Sequence, residues 1–183
     1  MRALTFGKGQ MAMVGQKLGV LVHGAGWVPS QHIQAFQHNP HTQVVAISSR
    51  KIESCRKRAE EAGLEGVACY DNYDKTLRHP AVDIVSVCTP QHLHAENTLA
   101  AAEARKHIVI EKPDANSLKE LRQMRDAVRR VGVKTIVSFV LRWNPLFETV
   151  KALVADNALG KVYYVEADYE HDIGSCAFRT GRG

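Results

Sequence analysis

Short apolar runs alternate with stretches of helical periodicity along most of the chain. The runs KLGVLV (17–22), QVVAIS (43–48), VDIVSVC (82–88), HIVIE (107–111) and VKTIVSFV (133–140) predict strands. Their near-continuous Val and Ile content implies burial on both faces, as in a parallel sheet covered by helices. Between them, helices are expected at about 30–38, 51–62, 92–105 and 117–131. A minor strand near 67–70 and a short helix in NYDKTLRHP, closed by Pro80, complete the series. Gly63 and Gly132 stand where C-terminal caps belong, and Asn116 or Ser117 where the last of these helices would be N-capped. Repeated strand-helix-strand units with right-handed crossovers give a doubly wound α/β domain built on a parallel sheet.

The pattern changes after residue 140. NPLFETVKALVADNALG predicts a helix from Pro145 to Gly160, and KVYYVEADYEHD then alternates as a long strand with one wet face. One strand has no sheet to join, so this region reads as the start of a second α/β domain whose remainder is absent. The expected organisation is a flexible extension over 1–16, a dinucleotide-binding domain over 17–141, and the beginning of an incomplete substrate or oligomerisation domain over 142–183. Within the extension, Met11 or Met13 is an alternative start.

Composition adds limits. A chain of 183 residues, 45% hydrophobic and 23% charged, suits a globular protein with one full domain. The net charge of +5 raises the question of nucleic acid, but the bases form no stripe. In LKELRQMRDAVRRV (118–131), Leu118, Leu121, Met124, Val128 and Val131 share one helical face. Lys119, Arg122, Arg125, Arg129 and Arg130 then point outward as a solvated face. No apolar run reaches the roughly 18 residues of a membrane span, and the basic start lacks a signal-peptide core, so a cytoplasmic protein is expected. Cys55, Cys69, Cys88 and Cys176 are far apart, without C-x-x-C spacing, and read as reduced thiols. His23, His92 and His107 lack metal-ligand spacing, and no metal site is expected.

Candidate chemistry begins with LVHGAGWVPSQH (21–32). Gly24-Ala25-Gly26 directly follows the first strand and precedes a helix, the setting a phosphate-binding turn requires. The first glycine permits the tight turn, and the second lets backbone approach a pyrophosphate at the helix N-terminus. Pro29 replaces the third glycine of such turns. That position serves helix packing, and proline suits a first helical turn, so nucleotide binding survives. The second strand ends in Ser48-Ser49-Arg50-Lys51, without the carboxylate that normally binds the ribose hydroxyls of NAD. A hydroxyl and a guanidinium suit a 2'-phosphate, favouring NADP, with NAD as the alternative. Further on, CTPQHLHAE (88–96) and EKPDA (111–115) lie at the carboxyl ends of adjacent strands, where ligands of open α/β sheets gather. There Lys112 could stabilise negative charge on a substrate oxygen or, if buried, move a proton.

Three segments together, GAGWVPSQHIQAF, VDIVSVCTPQHLHAENTLAAAEARKHIVIEKP and RWNP followed by ALGKVYYVEADY, resemble the glucose-fructose oxidoreductase, inositol dehydrogenase and MocA family of NAD(P)-dependent oxidoreductases. The resemblance runs from about Lys17 to Asp172, and the spacing from TPQHLHAE to EKP is its most specific part. It implies an N-terminal Rossmann domain and a C-terminal α/β domain that supports substrate and oligomerisation. It also implies hydride transfer between a nicotinamide and a sugar, polyol or related compound, by a homo-oligomer when full length. By position, Gly24, Ala25, Gly26, Trp27 and Val28 would line the pyrophosphate, and Ser49 and Arg50 the adenosine end. Thr89, Pro90 and His94 would border the nicotinamide, and Glu111, Lys112 and Pro113 match the active-site motif, with Lys112 its catalytic lysine. The family's distal Asp and His partners would lie beyond this chain. Asp168 and His171 do not replace them, because positions three apart on a strand point to opposite faces.

Two other readings are weighed. The same resemblance extends to non-catalytic, nucleotide-sensing regulators or scaffolds, from which retention of Lys112 argues away. An adenosylmethionine-dependent methyltransferase would want an acid at the end of the second strand, where Ser48 to Lys51 offer none.

Overall fold

The computed structural model describes residues 17–170. The expected 1–16 extension, His171 and Cys176 lie outside them. The chain divides into two units between Phe139 and Val140.

The first unit is a six-stranded parallel sheet in the order β3-β2-β1-β4-β5-β6, formed by β1 (Leu18–His23), β2 (Thr42–Ser48), β3 (Ala68–Tyr70), β4 (Ile84–Val87), β5 (His107–Ile110) and β6 (Thr135–Val137). The helices between them are α1 (Val28–His38), α2 (Ile52–Glu61), α3 (Tyr73–Leu77), α4 (His94–Glu103) and α5 (Leu118–Val131). Because strand side chains alternate, Val20 and Val22 enter the core shared with Ile33 of α1 and Cys55 and Ala59 of α2. Leu21 enters the core on the other face, with Leu77 of α3, Ala101 and Ala102 of α4, and Met124 and Ala127 of α5. All three β1 residues are fully buried, as their unbroken apolar run requires. A register shift against β2 lets Val44 and Ile47, three apart, join the same core.

Helix ends follow local chemistry. Ser117 caps α5, its Oγ accepting from the Glu120 amide, while the Glu120 carboxylate accepts from the amide of Asn116, one residue ahead of the cap. Gly63 and Gly132 take the left-handed φ that closes α2 and α5.

Four expectations need correction. Leu118 and Leu121 are exposed, and the buried face of α5 is carried by Met124 and Ala127 with Val128 and Val131 beside them. The first turn of α5 thus lies beyond the buried stripe that packs on the sheet. Strand β6 is shorter than 133–140 because the Phe139 amide turns back onto the Val137 carbonyl. In the second unit, α6 (Pro145–Ala155) ends before Gly160: Asn157 takes a left-handed φ and the Ala158 amide bonds the Leu153 carbonyl. Residues 161–170 form no strand, since among the described residues none pairs with them. Among the described residues, no helix is long and apolar enough to cross a membrane.

Candidate cofactor site

The carboxyl ends of β1, β2, β4 and β5 bring the chemistry-bearing loops to one edge of the sheet. Gly24 leaves β1 with φ of +122°, and its amide donates to the Ser48 carbonyl of β2 at 2.7 Å. A Cβ there would stand 2.5 Å from the Cys88 carbonyl oxygen, so glycine alone lets β1 and the loop after β4 approach this closely. Gly26 differs: it has no left-handed φ, and a Cβ would meet nothing within 4 Å. Its small size leaves open space over the turn.

Trp27 precedes α1, 69% exposed, and its carbonyl accepts from the amide and hydroxyl of Ser30. Val28 opens the helix, and Pro29 is buried in its first turn, where a missing N–H costs nothing. Among the described residues no group accepts from the amides of Ala25, Gly26 and Trp27. Free amides at a helix N-terminus suit an anion.

A groove of about 220 Å³ continues from this turn, lined by Ala25, Gly26, Ser49, Arg50, Lys51 and Ser54. Two cations and no carboxylate line it. Arg50 is exposed, whereas the Ser49 hydroxyl is engaged: it donates to the Lys51 carbonyl at 2.8 Å and receives the Cys55 thiol at 3.3 Å. Ser49 therefore shapes the loop, and Ser54, on the first turn of α2, is an additional hydroxyl that the sequence reading missed.

Behind the turn, His23 stacks on Tyr73 with ring centroids 3.9 Å apart, and its Nδ1 lies 2.8 Å from the Ser48 hydroxyl. Burial, only partly offset by Ser48, lowers its pKa to about 4 and keeps the ring neutral. His32 of α1 places Nδ1 2.8 Å from Ser86 Oγ and Nε2 2.9 Å from Glu111 Oε1. Burial opposes charge on this ring, but neighbouring Cys88 and Glu111 outweigh it and raise the pKa to about 10. Glu111 is likewise penalised by burial, yet His32 and Ser138 hold its carboxyl below the usual range. The two form an ion pair beneath the edge, and the second Glu111 oxygen accepts from the Lys112 amide at 3.1 Å.

The loops after β4 and β5 are joined by His94, which is 1% exposed. Its Nδ1 lies 2.7 Å from the Pro113 carbonyl and its Nε2 2.8 Å from the Thr89 carbonyl. Thr89 Oγ1 also accepts from Asn97, whose own carbonyl receives the Tyr73 hydroxyl. Pro90 is exposed and begins the short 3-10 turn that leads into α4. The side chain of Lys112 is exposed at the end of β5, with no ion pair among the described residues, and the following peptide to Pro113 is cis. The structure therefore brings Gly24 to Val28, Ser49 and Arg50 around one groove and turn, with Thr89, Pro90, His94, Glu111 and Lys112 along the adjoining strand ends. Within that set, His94 and Glu111 spend their polar atoms on protein partners.

Among the described residues no group of three or more His, Cys, Asp or Glu could hold a metal. Cys55, Cys69 and Cys88 are free thiols.

Comparison with known proteins identifies the fold and family. Residues 18–139 match the model of an oxidoreductase family with an NAD-binding Rossmann fold. An uncharacterized oxidoreductase of Bacillus subtilis is 34% identical over 137 residues, which is 75% of this chain and 40% of the relative. The levoglucosan dehydrogenase of Pseudarthrobacter phenanthrenivorans is 30% identical over 165 residues, 86% of this chain and 42% of the relative. A crystal structure of a 3-ketoreductase from Actinomadura kijaniata with NADP is similar with a TM-score of 0.73 and 25% identity, covering 80% of this chain and 46% of that one. The chain thus spans less than half the length of the curated relatives it matches. With a matching model over most of its length, a doubly wound parallel sheet and a glycine turn at its head, this chain belongs to the Gfo/Idh/MocA family of oxidoreductases.

Proposed function

We propose that the chain is the cofactor-binding part of an NADP(H)-preferring oxidoreductase that transfers hydride between the nicotinamide and a sugar, polyol or related hydroxy or carbonyl compound. The observation that carries the reading is the continuity of three unpaired amides at the head of α1 with a groove lined by two cations and no carboxylate. The amides of Ala25, Gly26 and Trp27 would hold the diphosphate. Arg50 and Lys51, with Ser54 on the first turn of α2, would take a 2'-phosphate, since a guanidinium matches phosphate oxygens in a fork.

The nicotinamide, when bound, supplies the hydride acceptor or donor. Thr89 and Pro90 border its side of the sheet edge, positioned by the bonds of His94 and Asn97 to Thr89. Lys112 would donate from its ammonium to a substrate hydroxyl or carbonyl oxygen and carry the proton exchanged at that oxygen. The sugar or polyol class rests on the names of relatives such as the levoglucosan dehydrogenase, and NADP on the groove together with the NADP-bound 3-ketoreductase.

Calorimetric titration tests the cofactor assignment directly. Tighter binding of NADPH than NADH is expected, and failure of both to bind would end the reading.

A further inference from the structure

The glycine turn is gripped by a residue of the helix that follows β2. Arg58 of α2, 32 positions along the chain, donates from Nη2 to the Gly26 carbonyl at 2.7 Å. Its Nη1 pairs with Glu61 at 2.8 Å, which fixes the other arm of the fork, and the side chain is 20% exposed. Its Nε is buried without a hydrogen-bond partner among the described residues, so both of its protein hydrogen bonds come from the two Nη atoms.

Gly26 is where such a grip matters. It has no Cβ, a Cβ placed there would meet nothing within 4 Å, and glycine rotates its peptides more freely than any other residue. The peptide between Gly26 and Trp27 is a rigid plane in which carbonyl and N–H point in opposite directions. With the carbonyl drawn toward α2, the Trp27 N–H faces away from α2, at the head of α1. Were the plane to flip, a carbonyl dipole would meet the anion in place of a donor.

We propose that Arg58 is a positioning residue for dinucleotide binding: by holding the Gly26 carbonyl, it locks the turn in the orientation that presents the Trp27 amide to the diphosphate. The proposal rests on the dinucleotide reading above. It differs in that Arg58 contributes to the diphosphate common to both cofactors, not to the 2'-phosphate. Removing it therefore weakens NADPH and NADH by the same factor, about tenfold for one charge-assisted hydrogen bond.

The test is calorimetric titration of the 183-residue chain with NADPH and NADH, for the parent, Arg58→Ala, Arg58→Met and Arg58→Lys. Thermal melts without cofactor accompany each. Arg58→Met keeps the apolar stem that packs at α2, so a folded variant without the donor is available if the alanine variant does not fold. Expected are equal losses of about tenfold for both cofactors in Arg58→Ala and Arg58→Met, and partial recovery in Arg58→Lys, which retains a cationic donor. Unchanged affinity in a folded Arg58→Met chain would overturn the proposal. So would a loss confined to NADPH, which would make Arg58 a direct 2'-phosphate ligand. If the parent bound neither cofactor, the dinucleotide reading would fall and this one with it, an outcome distinct from parent binding that Arg58→Met leaves intact.

Discussion

His32 on α1 and Glu111 at the end of β5, 79 positions apart, meet at 2.9 Å as a largely buried ion pair. The pair ties the helix that heads the phosphate-binding turn to the residue before Lys112, and it makes stability depend on pH. Folded His32 keeps its proton up to about 10, whereas the unfolded ring releases it near 6.5. Its contribution is complete below 6.5 and is lost as pH rises toward 10, with a slope of at most about 1.4 kcal/mol per unit. Urea unfolding at stepped pH should show this alkaline decline, flattened in His32→Gln. An unaltered slope in that variant would mean the ring carries no extra proton when folded.

His23 acts on the opposite side. The folded ring stays neutral to about 4 while the unfolded one takes a proton near 6.5, so acidification between these values favours unfolding. Glu111, lowered from 4.5, loses its own contribution only at still lower pH. The interval from 6.5 down to 4.5 therefore reports on His23 together with His107, which burial and Lys134 also lower from 6.5, and His23→Phe should flatten it in part in the same unfolding series.

The two glycines of the turn should separate stability from binding. Gly24→Ala meets the Cys88 carbonyl and an unfavourable φ, and should cost about 2–4 kcal/mol in a denaturant melt. Gly26→Ala meets no protein atom and should stay within about 0.5 kcal/mol of the parent, yet weaken NADPH and NADH where the added methyl fills the cradle. Parent-like cofactor affinity in Gly26→Ala would place the diphosphate elsewhere.

Cofactor preference should reside in Arg50. Arg50→Ala is expected to weaken NADPH at least about tenfold and leave NADH nearly unchanged, because only the former carries the phosphate the guanidinium would fork. Equal effects on both would remove the basis for NADP preference.

Lys112→Ala should leave the melting temperature and cofactor affinity close to the parent's, since the side chain is exposed and has no ion pair among the described residues. A clear drop in stability would show that the lysine is held by the fold and unavailable to a substrate.

What the sequence made legible was local. The run Val20 to Val22 announced a strand buried on both faces, Asn116 or Ser117 the N-cap of α5, and Gly63 and Gly132 the stops of α2 and α5. The placement of Gly24 to Val28 between strand and helix, and of Arg50 and Lys112 at strand ends, followed from the same short-range logic. Contacts closed by the fold were hidden. Arg58 reaches Gly26 and His32 reaches Glu111 only once helices lie on a sheet, and no spacing rule relates residues 32 or 79 positions apart. Periodicity placed Leu118 and Leu121 on the inner stripe of α5, but it carries no information on where a neighbouring helix stops offering surface. Two residues compete to end α6, and Asn157 does so three positions before Gly160.

One imidazole bridging the carbonyls of Thr89 and Pro113 has a consequence for protein engineering. The two loops it spans share a strut, so they behave as a single replaceable cassette. Transplanting one of them from a relative, without its mate and without the buried ring, would drag the ammonium of Lys112 off station even though neither Lys112 nor its immediate neighbours had been altered.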